Sequence, residues 1–225
     1  VGRFDLDKAE TIIRRYFSQI PEKVDAPKKM ESETLDGTYP RSVSLQDQSQ
    51  PRFFLGYHRP AHPHPDDIIL DVVQDIFCGG RTARLYKRLV IQDRSVAQVT
   101  CYASIPGVRL DGLFTFLAVP IGNHTNKQIH DVIKEEFVKL AREGPTEKEL
   151  AIIKNKIDGE QVYTMSSNTG LASTLAFYES LTGDWRYMYD RQEQVHKIAP
   201  EDIKRVVKTY FVDAREVAAY LEMKK

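Results

Sequence analysis

The residues best suited to chemistry crowd into one stretch of the chain. His58, His62 and His64 lie close together, and Asp66, Asp67, Asp71 and Asp75 follow at once. Converging imidazoles and carboxylates can bind a divalent metal. Paired carboxylates can also share acid–base work when their surroundings split their pKa values. Arg81, Arg84, Lys87 and Arg88 come next and could grip a phosphate or a carboxylate. Each group also has a plainer reading. Pro60, Pro63 and Pro65 hold the histidine segment extended and splay its rings, leaving His64 to cap a helix that begins at Pro65. The aspartates suit a polar helix face, and the basic residues a solvated face with internal ion pairs. Gly79-Gly80 is followed by no Lys-Ser/Thr at Walker spacing, so it reads as a helix stop. Cys78 and Cys101 have no metal-type spacing and read as small core residues, with a disulfide between them left open.

The reactive signatures are missing from the chain. No H-x-x-E-H, H-E-x-x-H, G-x-S-x-G or phosphate-cradling glycine loop occurs in its 225 residues. Lys plus Arg number 32 and Asp plus Glu number 32, so the formal net charge is zero. A nucleic-acid or anionic-membrane binder would show a basic excess. No apolar run reaches the ~18–20 residues of a membrane-spanning helix. A hydrophobic share of 41% is that of an ordinary globule. A well-built fold without reactive groups points to a supporting role, with the chemistry on a neighbouring domain.

Periodicity gives the elements that must position these residues. Asp5 caps a helix carrying Ala9, Ile12, Ile13, Tyr16 and Phe17, and Pro21 stops it. Val1 to Phe4 reads as the tail of a strand. Residues 21–40 turn polar and proline-rich and read as a linker. Strands are expected over 41–48, 52–57, 96–104, 113–119 and 217–223. Helices are expected from Pro65 to Gly79, over 82–92 as a short basic helix, and then through most of the second half. Thr146 with Glu149 makes a capping box. Tyr178, Trp185, Tyr187 and Tyr189 concentrate aromatic surface, either as packing between helices or as the wall of a peptide chamber. Strands dominate the first half and helices the second, which gives an α+β two-layer sandwich: a largely antiparallel mixed sheet covered by helices.

Several segments together carry a family resemblance. They are Tyr57…Pro60…His64-Pro65-Asp66, Gly79-Gly80-Arg81-Thr82-Ala83-Arg84-Leu85 and Asp111-Gly112-Leu113-Phe114. Gly144-Pro145-Thr146…Glu149-Leu150 and Ala199-Pro200-Glu201-Asp202-Ile203 complete the set. In their order and spacing the chain resembles the C-terminal, zinc-free half of the pitrilysin/insulinase zinc metallopeptidases, in the mitochondrial-processing-peptidase-like branch. The resemblance implies the LuxS/MPP-like metallohydrolase fold. It divides the chain into residues 1–20, the close of a preceding catalytic domain; 21–40, the linker; and 41–225, the non-catalytic domain.

It also implies where the chemistry lies. An upstream domain, or a partner subunit, would carry H-x-x-E-H and the zinc, while this chain holds no cofactor, closes the substrate chamber and helps bind extended peptide. Alone it would be inactive. The other reading is a non-peptidase scaffold or interaction subunit of the same fold. The resemblance is nearest to bacterial forms and favours the periplasm. Active relatives carry an Arg and, seven residues later, a Tyr that reach the substrate; those positions fall at Ile91 and Gln98 here. Arg88, Gln98 and Tyr102 are therefore the candidate substrate-binding residues. A second departure is Ala199, where a capping Ser or Thr is expected before Pro200, at a cost of ~1 kcal/mol.

Overall fold

A computed structural model describes residues 1–21 and 37–224. Helix α1 (Leu6–Phe17) is capped by Asp5, whose carboxylate accepts from the Lys8 N–H at 3.1 Å. Residues 1–4 form no strand, because no described strand lies beside them to complete a ladder. Most of the expected linker, residues 22–36, lies outside the described residues.

The body is one five-stranded sheet covered by helices. Its strands are β1 (Arg41–Asp47), β2 (Arg52–Arg59), β3 (Val96–Ile105), β4 (Gly112–Pro120) and β5 (Glu216–Met223), in the order β1-β5-β2-β4-β3. β1 and β5 run parallel; every other pairing is antiparallel. Alternation sets the faces. Phe53, Leu55 and Tyr57 on β2 and Phe114, Phe116 and Ala118 on β4 are all buried. The opposite face of the sheet carries Val43, Leu45 and Leu117, which stay exposed. Gly56 sits on that open face, where an added Cβ would meet Val217 at 3.0 Å and Leu113 at 3.1 Å. Glycine lets those two side chains close over the strand.

The helices are α2 (Asp66–Cys78), α3 (Asn126–Glu143), α4 (Glu147–Met165), α5 (Asn168–Thr182), α6 (Tyr187–Lys197) and α7 (Pro200–Tyr210). The short basic helix differs from expectation: residues Tyr86–Gln92 are π-helical, with one buried residue, Leu89. Thr125 caps α3 and Thr146 caps α4, each in a complete capping box. α5 begins at Asn168, where the Ser167 hydroxyl accepts from the Gly170 N–H at 3.0 Å. α2, α3 and α7 pack on the sheet through an aromatic cluster in which Phe137 and Phe211 centre 4.8 Å apart and both meet Tyr57.

One buried polar knot pins α3 to this core. The Tyr57 hydroxyl donates to the Glu216 carboxylate at 2.7 Å, and His130 and Lys134 of α3 each approach it at 3.3 Å. Burial works against ionisation of Glu216, but the bonds from His130 and Tyr57 and the Lys134 charge outweigh it and bring the carboxyl down to about 2. The same burial and the Glu216 charge keep Tyr57 protonated.

A folded-state value below the ordinary 4.5 means that Glu216 stabilises the fold fully above that pH and progressively less as pH falls toward about 2. Urea unfolding across that window should show a steeper loss for the wild-type chain than for Glu216→Gln, which starts less stable. Parallel curves would remove Glu216 from the acid transition. At α7, Ala199 takes the extended N-cap conformation, and its N–H donates to the Asp202 carboxylate at 2.9 Å. Half a capping box is therefore present already. Ala199→Ser should supply the other half and raise stability by about 1 kcal/mol, read from the denaturation midpoint.

Candidate functional site

The histidines do not converge. His64 Nδ1 accepts from the Asp66 N–H at 3.1 Å, which makes it the cap expected of it. His62 Nδ1 faces Asp67 at 3.5 Å, and the His58 ring meets Tyr39 edge-on at 5.4 Å. Among the described residues no group of three His, Cys, Asp or Glu could hold a metal ion. The donors that a zinc ion would need are engaged in packing and capping instead.

The aspartates of α2 are not a solvated face. Each meets a cation from another element. Asp66 accepts from Arg205 of α7 at 2.6 Å and from the Tyr210 hydroxyl at 2.9 Å. Asp67 pairs with the buried Arg59 of β2. Asp71 pairs with Arg191 of α6, and Asp75 with Lys156 of α4, both at 2.6 Å. Burial raises the Asp71 carboxyl, partly offset by the Arg191 charge. At Asp66 burial pulls the same way, but the bonds from Arg205 and Tyr210 win and the carboxyl is lowered. Two residues of the basic run are paired: Arg84 binds both Glu149 oxygens, at 2.9 and 2.8 Å, and Arg88 binds Asp93 at 2.7 Å, while Arg81 and Lys87 are exposed.

Two strands end the sheet, β1 and β3, and β3 carries two of the candidate residues. It is an edge strand, bonded to β4 along one side only. Val99, Cys101 and Ala103 point inward and are buried, while Gln98 and Tyr102 point outward and are exposed. Gln98 Nε2 donates to Thr100 Oγ1 at 3.1 Å, so Gln98, Thr100 and Tyr102 form one outward row. Among the described residues, no strand or side chain bonds the outer backbone edge between Ala97 and Tyr102. The strand itself is firmly held. Cys78, at the end of α2, is disulfide-bonded to Cys101, with Cα atoms 5.7 Å apart. Gln74 of α2 accepts from the Ala103 N–H at 2.6 Å, and Arg59 donates to the Ala103 carbonyl at 2.7 Å.

The structure thus brings Gln98 and Tyr102 together and leaves Arg88 on the preceding π-helical segment, held by Asp93. Ile91, at the family's arginine position, is an exposed apolar residue. Sequence reasoning missed Arg94, which enters β3 with φ at 51°, a left-handed conformation costly for a residue with a side chain. No local signal announces it. The aromatic concentration divides: Tyr178 packs on Tyr187 at 5.9 Å, while Tyr189 is exposed.

The described residues form a helix-backed sheet with two edge strands, β1 and β3, and no group of three metal-ligating side chains. Residues 1–157 match the family described as the peptidase M16 inactive domain, and the chain belongs to that family. Zinc protease PqqE of Helicobacter pylori is 26% identical over 172 residues, covering 75% of this chain and 37% of its own length. A protease from Helicobacter pylori has the same fold, with a TM-score of 0.86 at 23% identity, over 99% of this chain and 53% of that one. A peptidase M16 inactive domain from Pseudomonas fluorescens aligns over 100% of this chain and 52% of its own, with a TM-score of 0.81 at 18% identity. The chain therefore spans between a third and just over half of these relatives' length.

Truncating the outward row should leave the fold intact, since neither side chain is in the core. Gln98→Ala and Tyr102→Ala are each expected within about 0.5 kcal/mol of the wild type in urea unfolding. A larger loss would make the row structural.

Proposed function

We propose that this chain is the zinc-free half of a peptide-binding chamber whose other half carries H-x-x-E-H and the metal. The observation that carries the proposal is the open, rigidly backed edge of β3. An extended peptide can add to such an edge as a further strand, gaining main-chain hydrogen bonds without a strict sequence requirement. Gln98 and Tyr102 then meet its side chains from the outward face, and Arg88 stands at the strand's entry. Hydrolysis belongs to the zinc-bearing domain; this chain binds and orients the peptide.

α1 supports the same division. Leu6, Ile12, Ile13, Tyr16 and Phe17 are all exposed, and α1 buries none of its residues here. A stripe of that kind needs a partner surface. In this reading residues 1–20 close the preceding domain, residues 21–40 link the two, and 41–225 are the non-catalytic domain. The partner domain belongs to the same polypeptide or to a second subunit.

Hydrogen exchange with and without an extended, unstructured peptide tests the binding mode. Protection should concentrate on the amides of residues 97–102, and a backbone N-methylated version of the same peptide should lose it. Protection spread evenly over the sheet, or none at any peptide concentration, would overturn the reading in favour of a scaffold subunit.

A further inference from the structure

A concave site lies away from the β3 row, where the loop after β2 and the turn between β3 and β4 meet the end of α5 and the start of α6. It encloses about 530 Å³, within the range of small-ligand pockets. Its polar lining is His62, Arg109, Ser180, Thr182 and Tyr187. We propose that this pocket binds a small oxyanion, such as the carboxylate of a peptide or a free inorganic anion.

The frame is fixed before any ligand arrives. The His62 N–H donates to the Val108 carbonyl at 2.8 Å, and the Ala61 N–H donates to the Asp111 carboxylate at 2.7 Å, so the two loops are tied together. The His62 side chain is only 8% exposed. Its Nδ1 faces Asp67, which Arg59 holds from behind, and the Tyr187 ring meets it edge-on at 5.0 Å. Arg109 is anchored through Nη2, which donates to the Ser180 carbonyl and hydroxyl in the last turn of α5.

What the frame presents to the pocket is unspent. Among the described residues, His62 Nε2, the Tyr187 hydroxyl and the remaining N–H groups of Arg109 have no hydrogen-bond partner. No Asp or Glu lines the pocket, and Arg109 forms no ion pair with a described residue. Arg109 is an exposed cation at the rim, tethered to Ser180 and without an ion pair, and a cation held there attracts a negative charge. A guanidinium and a phenol donate to oxygen, and charge-assisted bonds of this kind are the strong ones. The pocket shares no residue with the β3 row, so the failure of peptide addition there leaves this site untouched.

The test is an NMR titration of the 225-residue chain with three probes. They are N-acetyl-dialanine, its C-terminal amide, and inorganic phosphate. Amide shifts should move in segments 60–64, 107–111 and 180–187 with the acid or with phosphate, and not with the neutral amide. Arg109→Gln should weaken binding at least about tenfold, as loss of a charge-assisted contact requires. Tyr187→Phe, which keeps the ring against His62, should weaken it by a smaller factor. Shifts with the peptide acid assign a peptide carboxylate as the ligand; shifts with phosphate alone also support the site and assign a free anion. No saturable shift with either anion would overturn the proposal, as would equal binding of the amide or an affinity unchanged in Arg109→Gln.

Discussion

The helical layer depends on the carboxylates of α2. Four aspartates on one helix reach Arg59 of the sheet and Arg205, Arg191 and Lys156 of three other helices. Apolar packing alone is non-directional and would let these helices slide. Ion pairs at fixed heights along α2 permit one register. The Asp67–Arg59 pair is the most secluded, and losing one partner of such a pair leaves a buried charge uncompensated, at roughly 3–5 kcal/mol. The same helix also positions the candidate site. Its other reaches, Gln74 and Cys78, fasten β3 from behind, so the strand's geometry is inherited from α2.

On the proposed reading, that arrangement prepares β3 to receive a peptide. A peptide adding to a wandering strand would have to order it first and would lose affinity in doing so. Here the disulfide and the Arg59 and Gln74 contacts have ordered the strand in advance. The exposed row contributes no nucleophile and no acid–base pair.

The sequence was most legible where local periodicity decides the outcome. The spans of the five strands were readable from apolar runs and turn residues, and Thr146 with Glu149 marked a helix start because the box lies within four residues. Val1–Phe4 forms no strand here because a strand is defined by its neighbour, and no described strand lies beside it. The π-helical turn at Tyr86–Gln92 carries no distinguishing spacing. The aspartates read as a plain polar helix face because most of their cations are far along the chain: Arg205 lies 139 residues from Asp66 and Arg191 lies 120 from Asp71. The Cys78–Cys101 bridge was left open for the same reason, since only the packing of α2 on β3 brings the thiols together.

The position of β5 has a consequence for how this protein is made. β5 lies between β1 and β2 in the sheet although it follows both, and all seven described α-helices, along the chain. On the ribosome β1 emerges early and can find no hydrogen-bonded neighbour until β5 has left the exit tunnel. Until then one side of β2 is a bare template open to other nascent chains, a hazard inherent in long-range pairing. Until β5 emerges, β1 and one side of β2 thus stay unpaired while the rest of the sheet can already form.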